Sequence, residues 1–222
     1  GHEIVKEIAK GNKDDEARLK LFTQEILDNF RDDERILLWD LYNEPGQFGI
    51  GDESNILLTK VWHWAFEVRP SQPLTACLDG TIGDKNIQTN KENSDVISFH
   101  VYEYQKVIPI IEELKEIGRP LVCTEYMARG FGTTFEFTLP IFKEHNIGAY
   151  NWGLVAGKSQ THFGWETILK IKDLKDKGDF VREGEPLPEP DVWFHDIFRI
   201  NGSPYNQSEI DFIKTITKEL QD

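Results

Sequence analysis

Ile36-Leu37-Leu38-Trp39-Asp40-Leu41-Tyr42-Asn43-Glu44-Pro45 is the stretch from which the fold is read. Residues 36–39 are an apolar run with the length of a buried strand. They pass at once into polar, turn-forming residues that include a carboxylate. Ahead of the run, residues 14–30 carry apolar side chains at Ala17, Leu19, Leu21, Phe22, Ile26, Leu27 and Phe30, close to a helical period and behind an acidic start. Asp32-Asp33 separates the two. Downstream, residues 54–68 read as a helix stopped by Pro70, and residues 74–78 as a second strand.

The alternation continues. A polar segment of weak helical character leads to a strand at 96–101. A helix at 107–117, closed by Gly118 and Pro120, leads to a strand at 121–124. A helix at 135–145 leads to a strand at 147–152. The pattern then dissolves in an irregular segment, 170–207, before an amphipathic helix at 208–220. Short strands separated by helices are parallel βαβ units, and no linker or internal repeat divides them. The expectation is a single α/β domain over residues 1–222.

Composition narrows the function. Hydrophobic residues make up 39% of the 222, as in ordinary globular chains, and no apolar run is long enough to span a membrane. The net charge of −14 argues against a nucleic-acid backbone or an anionic bilayer as main partner. Cys77 and Cys123 are too few for a disulfide framework and read as small buried hydrophobes. His2, His63, His145, His162 and His195 show no metal-ligand spacing. Aromatic residues at 12%, six of them Trp, must fill a core or line a site. Trp62 and Trp64, on one helix with Phe66, read as core, as does Trp39; Trp193 reads as packing, and Trp165 as either packing or site lining.

In parallel α/β folds the chemistry gathers at the carboxyl ends of strands. Here those ends read Asn43-Glu44-Pro45, His100-Val101-Tyr102, Thr124-Glu125-Tyr126 and Tyr150-Asn151-Trp152. Two carboxylates with Asn, His, Tyr and Trp are the inventory of a carbohydrate site. Sugars need hydrogen-bonding side chains around their hydroxyls and a flat ring beneath them, and their hydrolysis needs two carboxyl groups flanking one bond.

These motifs, in this order, resemble glycoside hydrolase clan A, and within it the cellulase-like family 5 group of retaining glycosidases. The segments 153–161 and 193–198 are also similar to bacterial members of that group, and the similarity runs from about Leu19 to the C-terminus. The resemblance implies a TIM (β/α)8-barrel type of fold and an oligo- or polysaccharide substrate, with no cofactor and no metal. It assigns Glu44 as general acid/base and Glu125 as nucleophile. Asn43 would hold the sugar 2-hydroxyl, Tyr102 would hydrogen-bond Glu125, and Trp152 would floor the subsite before the cleaved bond. His100 would position substrate or acid/base; as a residue on its own it reads equally well as a satisfied core histidine. The implied chemistry needs Glu125 ionised and Glu44 carrying a proton.

The resemblance also sets a limit. A complete barrel has eight strands, and five are legible here, expected to be strands four to eight. The chain then reads as a partial barrel, the C-terminal part of a larger enzyme, whose open edges call for self-association or an N-terminal barrel segment from elsewhere. Two other readings stand beside hydrolysis: a truncated barrel that binds glycan without cleaving it, and a metal-dependent hydrolase using His100 and Glu125. Secretion or a periplasmic location follows only from the bacterial relatives of the implied group.

Overall fold

The computed structural model describes residues 2–79, 81–167, 169–170 and 189–218. Residues 171–188 of the irregular segment expected at 170–207, which hold nearly all of its Lys/Asp-rich part, lie outside the described residues, as do the last positions of the C-terminal helix. The chain divides into two compact units. One comprises residues 1–100 and 111–123, the other residues 101–110 and 124–222.

The first unit opens with α1 (His2–Ala9) and α2 (Lys13–Asn29). Sequence reading found only α2, whose start is written locally. The Asn12 side chain accepts from the N–H groups of Asp14 and Asp15, and acidic residues fill the first turn. No such signal marks α1. The apolar run that follows becomes paired only at its end, as β1 (Trp39–Asp40), and Leu37 is exposed. A 3-10 turn at Gly51–Ser54 then feeds α3 (Asn55–Val68).

Two adjacent stripes on α3 build the core. Leu58, Trp62 and Ala65 pack with Leu27 of α2 and with Leu74 and Ala76, while Leu57, Val61 and Trp64 pack with Val5 and Ile8 of α1. Trp62 and Trp64 are thus core as expected. Phe66, on the same helix, lies off both stripes and is 40% exposed. Trp39 is only partly buried against the first stripe.

Helix α3 ends on Arg69 in the left-handed conformation, held by a two-pronged contact to Asp95 at 2.8 Å per bond. Asp95 also accepts from the N–H of Leu74, the first residue of β2 (Leu74–Thr75). The polar segment after β2 is a full helix, α4 (Asp84–Asn93). Its start carries no capping side chain of its own, since Gly83 precedes it. Asp52 supplies the cap from the 3-10 turn, accepting from the N–H groups of Lys85 and Asn86. A side chain at Gly83 would collide with that carboxylate.

β1 and β2 run parallel, with Trp39 opposite Leu74 and Asp40 opposite Thr75. Leu78 continues the ladder in parallel to Phe99 of β3 (Ile97–His100), and β3 neighbours β4 (Leu121–Glu125). Between these last two strands lies α5 (Val107–Lys115). The strands follow one another in chain order, as consecutive βα units require. The buried Trp62 indole donates to Asn90 of α4, whose amide donates to the Cys77 carbonyl.

The second unit contains the end of β4, α6 (Phe135–Glu144), β5 (Gly148–Ala149) and α7 (Gln207–Lys218). Thr134 caps α6 through the N–H of Phe137. Tyr126, just past β4, packs edge-on against Phe135 and Phe142 of α6. Trp193 is buried and stacks on Tyr205, which agrees with its reading as packing. A buried ion pair between Arg129 and Glu209 binds α7 to the segment after β4.

Candidate active site

Each unit carries one of the two acids, and each acid is held by a different partner. In the first unit the turn after β1 places Glu44 at the strand's carboxyl end. Glu44 has φ 44°, the left-handed region that a residue with a side chain enters at a cost. Its N–H points to the Cys77 sulfur at 3.1 Å. Gly46 is required just beyond, because a Cβ there would sit 1.8 Å from the Ile82 carbonyl oxygen. This crossing of the post-β1 turn over the post-β2 segment fixes where Glu44 points.

The Glu44 carboxylate meets His100 at the end of β3. Nδ1 of the imidazole lies 2.7 Å from Oε1, with side-chain exposures of 1% for His100 and 19% for Glu44. His100 is therefore buried, as its reading as a core histidine expects, and its imidazole contacts the Glu44 carboxylate. Asn43 is exposed, directly before Glu44.

Sequence reading missed a third group. Asp79 follows Leu78, at the end of the ladder that β2 begins, and a carboxylate oxygen of Asp79 lies within 4.8 Å of ligand atoms of both Glu44 and His100. Thr81 pins it: its N–H and Oγ1 both donate to Asp79 Oδ1, at 2.8 and 2.5 Å. The signal was available, since Asp79 occupies the same strand-end position as the other site residues.

In the second unit, Glu125 ends β4 and accepts a 2.6 Å hydrogen bond from the Tyr102 hydroxyl to Oε2. A charge-assisted bond of that length favours the ionised carboxylate. Tyr102 is itself held. Thr133 Oγ1 donates to its carbonyl at 2.8 Å, and its ring meets Trp165 edge-on at 5.0 Å and His195 at 5.5 Å between centroids. Trp165 thereby supports the tyrosine while remaining half-exposed.

His195 stands behind the same tyrosine, with Nδ1 2.6 Å from the Met127 carbonyl. Burial holds the pKa of this imidazole below the usual histidine range. The neutral form, donating from Nδ1 to that carbonyl, is the one the geometry suits. Trp152 follows β5. Its N–H donates to the Tyr126 carbonyl and its side chain is 43% exposed, a flat apolar face open to solvent.

No protein-family model matches the chain. No curated protein sequence matches it. Solved structures do resemble it in three dimensions. One is the hyperthermostable endo-1,4-β-D-mannanase from Thermotoga petrophila RKU-1, 15% identical with a TM-score of 0.56 over 92% of this chain and 66% of that one. Another is XacCel5A, solved with cellopentaose, 14% identical with a TM-score of 0.55 over 86% of this chain and 63% of that one. A third is a fungal β-1,4-galactanase, 11% identical at a TM-score of 0.50, over 87% and 67%. The chain spans less than two thirds of the length of the first two. At such identities the likeness concerns fold alone. The fold resembles that of the clan A, cellulase-like glycoside hydrolases, an α/β fold of TIM-barrel type with parallel strands.

Proposed function

We propose that this chain is the strand-four-to-eight part of a retaining glycosidase that hydrolyses O-glycosidic bonds in β-linked oligo- or polysaccharides. The observation that carries the reading is the unlike dressing of two strand-end glutamates. Glu44 shares a 2.7 Å contact with an imidazole nitrogen, whereas Glu125 accepts from a tyrosine hydroxyl at 2.6 Å. A retaining glycosidase needs such a division of labour between one carboxyl that moves a proton and one that attacks as an anion.

In this reading Glu125 attacks the anomeric carbon while Glu44 gives a proton to the departing oxygen. The C–O bond to the leaving group breaks and a bond from the anomeric carbon to Glu125 forms. Glu44 then takes a proton from water, which displaces Glu125 and releases the sugar with its original configuration. His100 holds Glu44 in place between the two steps, and Tyr102 stabilises Glu125 whenever it is an anion. Asn43 contacts the 2-hydroxyl, and Trp152 supplies the apolar face beneath the ring. The mannanase and cellopentaose-bound neighbours make β-1,4-linked glycans the first substrates to try.

The test uses aryl β-glycosides of graded leaving-group acidity. Glu125→Gln should abolish turnover. Glu44→Gln should cost about 10²–10⁴-fold on poor leaving groups and far less on good ones. The first sugar released, followed by proton NMR, should be the β-anomer. Full activity in both variants, or release of the α-anomer, overturns the assignment. A second reading, glycan binding without cleavage, rests on the half-exposed Trp152 ring. Saturable oligosaccharide binding with no turnover of any activated glycoside would select it.

A further inference from the structure

Glu44, Asp79 and His100 come from three successive strand ends of the first unit, and one ligand atom of each lies within 4.8 Å of the other two. A single atom placed among them reaches all three at about 2.8 Å or less, and modest side-chain adjustment brings that to the 2.0–2.2 Å of zinc coordination. Thr81 fixes Asp79 Oδ1 with two hydrogen bonds and thereby orients the other oxygen. His100 is held inside the protein, while Glu44 keeps the cluster open to solvent. The chain's net charge of −14 enriches cations around it.

We propose that this triad binds a divalent transition-metal ion of the zinc class. Two carboxylate oxygens with one imidazole nitrogen suit zinc, cobalt or nickel, whereas magnesium and calcium prefer all-oxygen sites. The ion displaces the proton shared by His100 and Glu44. It is an inhibitor and not a cofactor: a coordinated Glu44 has no carboxyl proton to give to a leaving oxygen. That last step rests on the acid/base role proposed for Glu44, but binding itself does not.

The experiment titrates Zn²⁺ into metal-free protein by isothermal calorimetry and follows Tm in parallel, with Mg²⁺ as the control ion. Wild type should show one saturable Zn²⁺ site, and Tm should rise by about 5–11 °C at a hundredfold excess over Kd. Asp79→Asn, at a half-exposed position, should weaken binding at least tenfold, while Glu112→Gln, on the remote helix α5, should leave it unchanged. Circular dichroism confirms that each variant is folded, and Thr81→Ala provides a second, milder loss of affinity. Absent Zn²⁺ binding, equal binding by Asp79→Asn, or equal affinity for Mg²⁺ overturns the site. On an active chain, Zn²⁺ should inhibit reversibly on addition of chelator and less in Asp79→Asn. A chain that binds Zn²⁺ as expected but cleaves no glycoside refutes the glycosidase reading and leaves the metal site standing.

Discussion

Glu209→Gln should be among the most damaging single substitutions in the second unit. Glu209 and Arg129 are buried to side-chain exposures of 5% and 6%, and they face each other through two hydrogen bonds of 2.6 and 2.7 Å. The remaining guanidinium nitrogen donates to the carbonyls of Trp193 and Asp196, and the guanidinium lies 4.7 Å from the Tyr205 ring centroid. Removing the carboxylate charge leaves a buried cation among neutral acceptors. Orphaning one partner of such a pair costs about 3–5 kcal/mol. For a chain of this length, each kcal/mol moves Tm by about 2–4 °C, so Tm should fall by about 6–20 °C. The assay is thermal and urea unfolding of wild type, Glu209→Gln and the double variant Arg129→Met/Glu209→Leu. The double variant should recover most of the loss, because no charge is left unpaired. A Glu209→Gln Tm within 2 °C of wild type, or a double variant worse than the single, refutes the reasoning.

Two further outcomes are expected. Burial pushes the Tyr42 phenol up to about 12, against about 10 in an unfolded chain. The neutral phenol therefore contributes stability that is complete below about pH 10 and is lost as pH rises toward 12. Tyr42→Phe should flatten the decline of stability over that window, and superimposable alkaline unfolding curves would show that Tyr42 is not its source. Trp152→Ala removes a half-exposed ring, so it should leave circular dichroism and Tm nearly unchanged while raising KM about tenfold, equivalent to about 1.4 kcal/mol of lost stacking. An unchanged KM with a lowered Tm would make the ring structural.

What could be read from the sequence and what could not divide along the range of the interactions involved. α2 and α6 were legible because their caps lie within three residues of the groups they satisfy: Asn12 for α2 and Thr134 for α6. α4 read only as a weak, polar helical segment because its cap is Asp52, more than thirty residues upstream and visible only after folding. The run at 36–39 read as a strand from hydrophobicity. Strand pairing also requires a partner, and the first ladder bond runs from the Trp39 N–H to the Pro73 carbonyl, so the leading residues stay unpaired and Leu37 faces solvent. The site shows the same division more sharply. Parallel strands of one unit gather their carboxyl ends whatever their sequences, which is why Glu44 and His100 could be read as strand-end residues from the apolar runs before them. Applied evenly, that argument also selects Asp79, the first polar residue after the run at 74–78. It went unselected because no familiar motif surrounds it. Metal-ligand spacing along the chain was equally uninformative, since Glu44, Asp79 and His100 are separated by a whole βα unit each and converge only through the register of the strands. A strand-end carboxylate without a motif therefore deserves the same weight as one inside a motif, and the Asp79→Asn titration measures whether that weight is correct here.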